Sequence, residues 1–210
     1  APRRRKRSKP STKQLYVAPA VVNPQPRRKG RRRKRRQAMA DGDMRIRRRE
    51  LYISCAADST DPSKEVITYK YVYPTDLPWL GTIAKSFQRF RFNRVSLTWR
   101  PAVGTTTNGL VTYGPVWDVD ATKPASRAAI SALTPVADHP IWQSTETNPL
   151  VLPSSRLHSR QWFSPSAAET VDKAPCAFAV STSGTNATKG SFLGEVWIDY
   201  DITFDGTKSA

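Results

Sequence analysis

Between Pro78 and Pro101 the apolar residues change period. Trp79, Leu80, Ile83, Ala84 and Phe87 recur at helical spacing and predict a helix of about two and a half turns with one apolar face. Gly81 is a weak point in it, costing about 1 kcal/mol against Ala. From Val95 the pattern alternates, with Val95, Leu97 and Trp99 on one side and Arg94, Ser96, Thr98 and Arg100 on the other. That predicts a strand with one buried face, stopped at Pro101. Phe90 and Phe92 alternate in the opposite phase, so a bulge or bend near Asn93 is expected.

The same alternation marks the rest of the chain. A first strand runs from Arg45 to about Ala57, with Ile46, Leu51 and Ile53 among its apolar members. A second runs from Glu65 to Tyr73, where Val66, Thr68, Lys70 and Val72 oppose Ile67, Tyr69, Tyr71 and Tyr73. Leu110 to Val119 forms another, and Ser126 caps a short helix from Arg127 to Leu133. The region 138–163 is irregular and Pro-rich, and Trp142, Leu150–Leu152 and Trp162–Phe163 suggest two strands whose ends the pattern does not fix. The last two strands are Cys176–Ser183 and Leu193–Phe204. In the final one Val196, Ile198, Tyr200, Ile202 and Phe204 should face the core, leaving Trp197, Asp199 and Asp201 outward. Eight strands, two short helices and no βα alternation predict an all-β jelly roll of two packed four-stranded antiparallel sheets.

Charge changes this picture at one end only. The 210 residues carry 34 Lys and Arg against 17 Asp and Glu, net +17. Residues 1–49 hold 20 of the basic side chains against Asp41 and Asp43, whereas residues 50–210 hold 14 basic and 15 acidic ones. The chain therefore reads as a neutral body from residue 45 onward, preceded by a polycationic arm and hinge over residues 1–44.

The arm has two basic clusters: Arg3, Arg4, Arg5, Lys6, Arg7, Lys9 and Lys13, then Arg27, Arg28, Lys29, Arg31, Arg32, Arg33, Lys34, Arg35 and Arg36. So many like charges with so few apolar side chains predict disorder in isolation. Such tracts replace counterions on polyphosphate, with affinity that falls steeply as salt rises. A solvated charge run or a localisation patch is the simpler alternative. Only Tyr16 supplies an aromatic ring within the basic region, so base stacking by the arm should be minor. The uncharged island at 14–26 reads as a plain extended linker. Arg47, Arg48 and Arg49 at the start of the first strand are expected to extend the cationic surface.

Other chemistry is sparse. Asp118 and Asp120, read at a strand end, should leave the same face and could converge on one cation, though calcium needs six to eight oxygens. A direct interface salt bridge or a solvated pair are the other readings, and Lys123 nearby could itself neutralise them. Asp199 and Asp201 share that spacing and read as solvated carboxylates or contacts to a neighbouring subunit. Cys55 and Cys176 read as small buried thiols, and His139 and His158 fall in no nucleophile or metal arrangement. Nothing resembles a membrane span, a signal peptide or a Gly-rich phosphate cradle, so no enzyme, membrane or small-molecule role is predicted.

Taken in order, the helix-to-strand run at 78–101, Thr105-Thr106-Thr107-Asn108-Gly109-Leu110-Val111, Asp118-Val119-Asp120, Pro124, Gly184-Thr185 and Gly194–Ile202 resemble one known family. It is the shell domain of coat proteins of small icosahedral plant RNA viruses of tombus-, sobemo- and luteovirus type, matched over about residues 45–205. The resemblance implies a viral jelly roll assembling as a homo-oligomer of many copies into an icosahedral shell, T=3 being the expected geometry. It also implies a basic arm that packages genomic single-stranded RNA, residence in the virion, and host cytoplasm before assembly. In the family a Pro-containing arm segment orders around threefold axes in some subunits, whereas the island at 14–26 here lies between two basic clusters. Calcium between subunits at Asp118 and Asp120 is implied as well, although the family pattern often has another acid where this chain has Lys123. With only six residues after the last strand, the chain is expected to be the kind without a protruding domain. The competing reading is a cellular nucleic-acid-binding or chaperone-like protein with a β-sandwich body and a basic tail; an enzyme whose tail holds it on RNA is a third.

Overall fold

The structure, a computed structural model, describes residues 42–208. The strands are β1 Met44–Ala56, β2 Val66–Tyr71, β3 Phe87–Pro101, β4 Leu110–Val116, β5 Ala137–Pro140, β6 Leu150–Val151, β7 Ala177–Ser183 and β8 Phe192–Thr207. They form two four-stranded antiparallel sheets, ordered β1-β8-β3-β6 and β2-β7-β4-β5. Strands adjacent in sequence lie in opposite sheets until β4 and β5, as in a jelly roll.

The expected core of β8 is present: Val196, Ile198, Tyr200, Ile202 and Phe204 are all buried. They meet Phe90, Phe92, Val95, Leu97 and Trp99 of β3, all fully buried. The phase change in β3 has the predicted cause, since its register with β8 slips between Phe92 and Arg94. Asn93, the extra residue, donates to Asp201 at 3.1 Å and to Thr203 at 2.8 Å. A bulged residue whose amide side chain is hydrogen-bonded thus lets both halves of a 15-residue strand present their apolar side chains to the core. Trp99 fixes the far end: its indole donates to Ile141 O and its backbone N–H to Thr145 Oγ1, each at 2.8 Å.

Several expectations need correction. α1 covers only Leu80–Ala84, and Trp79 is exposed rather than part of its buried face. Gly81 is no weak point, because a Cβ there would lie 2.7 Å from Thr75 O in the 3₁₀ turn Pro74–Asp76. Ser96 and Thr98 are buried although they lie on the polar side of β3, because β8 and β6 flank the strand and their rungs carry Asp199 and Trp197. α2, Arg127–Ser131, has the predicted cap, Ser126 accepting from the Ala129 N–H at 3.2 Å. Two further one-turn helices were not predicted, α3 Ser154–Leu157 and α4 Thr170–Lys173. His139 lies in strand β5, half-buried with its ring edge-on to Tyr113. Both cysteines are buried and free, and burial pushes the Cys55 thiol up to about 12 and that of Cys176 higher still.

Candidate nucleic-acid interface

The basic residues from Arg3 to Arg36 and the island at 14–26 lie outside the described residues. Of the expected nucleic-acid contacts, the structure places Arg47, Arg48 and Arg49. They do not share a face, because side chains alternate along β1. Arg48 points to the opposite side from its neighbours and stacks its guanidinium 4.2 Å over the Trp79 ring. Arg47 and Arg49 stand with Arg45 on the outer face of the β1-β8-β3 sheet.

On that face β8 presents a row of carboxylates flanked by arginines of β1 and β3. Asp201 lies opposite both Arg47 and Arg94 in register, and Asp199 lies opposite Arg49 and Ser96. The Asp201 carboxylate accepts from Arg45 Nε at 2.7 Å and Nη2 at 2.6 Å, from Arg47 Nε at 2.6 Å and from Asn93. Burial works against its ionisation, but the hydrogen bonds from Arg45, Asn93 and Arg47 outweigh it and hold the group below the usual aspartate range. Arg49 Nε meets both Asp199 oxygens at 2.9 Å. Asp201 is therefore not the solvated carboxylate the pattern suggested; it is 7% exposed and paired within its own chain.

The inner side of β1 carries a charge that the pattern did not single out. Glu50 is 6% exposed, accepts from the Trp79 backbone N–H at 2.8 Å, and accepts from the Tyr200 hydroxyl. Burial, with that hydrogen bond, raises the Tyr200 hydroxyl well above the ordinary tyrosine value. The signal was a lone Glu after three arginines, which reads as an exposed position until the register with β8 is known.

Asp118 and Asp120 are not at a strand end. β4 stops at Val116, and the two exposed carboxylates sit in the following turn, where Asp118 Oδ1 accepts the Asp120 N–H at 3.2 Å. Lys123 forms no ion pair with either among the described residues; its ammonium lies 5.3 Å from the Tyr69 ring. Among the described residues no three His, Cys, Asp or Glu side chains gather into a metal cluster. Two carboxylates supply only part of a calcium shell. No helix among the described residues is long and apolar enough to cross a membrane.

Residues 15–210 match the family model described as viral coat protein (S domain). The capsid protein of Melon necrotic spot virus is 29% identical over 180 residues, covering 81% of this chain and 44% of its own length. That of Cucumber necrosis virus is 26% identical over 181 residues, covering 81% and 45%. The chain thus spans less than half the length of these curated relatives. Among solved structures, that of tobacco necrosis virus superposes with a TM-score of 0.67 at 17% identity, over 80% of this chain and 97% of its own. The structure of Cucumber Necrosis Virus gives 0.69 at 20%, over 81% and 59%. With two four-stranded sheets in jelly-roll order and a family model matching most of its length, the chain belongs to the viral coat protein S-domain family, a family of structural proteins rather than enzymes.

Proposed function

We propose that the chain is a capsid subunit whose jelly roll tiles an icosahedral shell while its basic leader condenses single-stranded genomic RNA inside. The observation that carries this reading is the partition of charge: 20 Lys and Arg precede residue 50, and the body beyond is nearly neutral. A neutral sandwich can pack against copies of itself without long-range repulsion, whereas a polycation cannot and needs polyphosphate beside it. In a T=3 shell about 180 leaders would bring roughly 3,000 positive charges, enough to offset a large part of a genome of a few thousand nucleotides. The subunit would reside in the virion, and in host cytoplasm before assembly.

Deleting residues 1–36 tests the division. The expected outcome is particles of altered size that have lost most of their nucleic acid, judged by electron microscopy and the 260/280 nm absorbance ratio. Unchanged particles with a full RNA content would overturn it, and RNase sensitivity of the extracted genome separates RNA from DNA.

Calcium belongs to the same proposal. Asp118 and Asp120 would hold it only with oxygens from a neighbouring subunit, given the two carboxylates that one chain offers. Chelation above neutral pH should then swell the particles, and unchanged sedimentation would remove the cation from the scheme.

A further inference from the structure

The arginines of the β1-β8-β3 face are not equally engaged. Asp201 has two oxygens and about four acceptor positions. Arg45 Nε and Asn93 Nδ2 meet Oδ1, while Arg45 Nη2 and Arg47 Nε meet Oδ2. The carboxylate is therefore saturated from the β1 side and from the bulge. Arg94 of β3 stands opposite the same Asp201, exposed, and its side chain has no ion pair, hydrogen bond or ring contact among the described residues. Arg47 gives Asp201 only its Nε, and its side chain is 71% exposed, so its terminal nitrogens remain free.

Arg47 and Arg94 line one open groove, with Arg48, Arg49, Asp199 and Asp201. The Arg48 guanidinium points away to Trp79, so Arg47, Arg49 and Arg94 stand against two carboxylates and leave the groove net positive. Arg47, Asp201 and Arg94 form one rung across three strands, so the two arginine backbones lie about 9–10 Å apart. Guanidiniums on side chains of that length can close on one anion from both sides, each offering planar paired donors that suit a phosphate.

We propose that this groove is a phosphodiester site of the folded body, in which Arg94 and the terminal nitrogens of Arg47 grip one phosphate of a single-stranded nucleic acid. Asp201 acts beneath them as the positioning residue that fixes Arg47 and is too fully occupied to capture Arg94. The inference rests on the reading that this chain packages RNA, and it adds an ordered contact to the diffuse one made by the leader. The rung of free and fixed arginines arises from the Asn93 bulge, which places Arg94 rather than Asn93 opposite Asp201.

The test is arginine footprinting of the full-length chain with an arginine-selective dicarbonyl, with and without a 20-nucleotide poly-U strand, under conditions where sedimentation detects no particles. Arg94 and Arg47 should react several-fold more slowly with the strand present, while Arg160, outside the groove, should not change. Protection of leader arginines without Arg94 would overturn the groove and spare the packaging reading; protection of none would overturn both. In parallel, Arg94→Gln should reduce the slope of log affinity against log salt by about 0.7, one phosphate contact on a single strand. The same change at Arg160 should leave the slope intact, and an unaltered slope in Arg94→Gln counts against the site.

Discussion

At the scale of single residues, two rules conflict at Gly81, and packing decides. Helix propensity favours Ala there by about 1 kcal/mol, but the added Cβ would sit 2.7 Å from a backbone oxygen of Thr75. Gly81→Ala should therefore destabilise the chain by about 1–3 kcal/mol, measured as a lower urea midpoint; a raised midpoint would show that the 3₁₀ turn yields. Asp201 gives a prediction with a sign. Its folded pKa is depressed, so it contributes stability above the unfolded value near 4, which is lost as pH falls through the folded value. The advantage of the wild-type chain over Asp201→Asn should thus be present from pH 5 to 7 and shrink on acidification below about pH 4. A difference that persists unchanged at pH 2 would mean that shape, not charge, is what Asn fails to supply.

At the scale of elements, length decided what could be read. The 15 residues of β3 and 16 of β8 give enough alternation to show faces, phase and even the bulge. α3 and α4, at four residues each, never complete enough turns for a 3.6-residue period to repeat, and β6 has only two residues. Such pieces exist because their neighbours hold them: Leu152 N–H bonds to Val95 O at 2.9 Å, and Phe163 pairs with Phe90 in an isolated bridge. The bulge is the element with the largest consequence. Because Asn93 is the extra residue, deleting it would leave Phe92 opposite Ile202 and Arg94 opposite Asp201 on consecutive rungs, so Val95, Leu97 and Trp99 would keep facing the core. The expected result is a cooperative thermal transition that survives at a lower midpoint, and Asn93→Ala should likewise cost about 1–3 kcal/mol through the unpaired Asp201 and Thr203 partners. Loss of the transition on deletion would show that Asn93 is not the extra residue.

At the scale of the whole molecule, composition located the candidate interface but not its wiring. Arg47 to Arg49 were visible as a basic run at the edge of the leader. That Arg48 turns away follows from alternation within β1, but that Arg45 and Arg47 share one carboxylate and that Arg94 is left over depend on pairing strands more than 100 residues apart. Charge counting cannot supply that register. The partition itself predicts that the full-length chain stays on a phosphate-bearing resin to much higher salt than a chain lacking residues 1–36, since nearly all excess cations are removed with the leader. Equal elution would mean that the body, not the leader, governs polyanion affinity.

The two thiols sealed in the sandwich give this molecule an internal gauge. Cys55 and Cys176 are too protonated and too enclosed to react while the sheets hold together. Alkylation by iodoacetamide would then count only those copies whose halves have come apart, whether in solution or locked in a lattice of neighbours. Labelling kinetics could in that way report how much a completed container steadies its own building blocks.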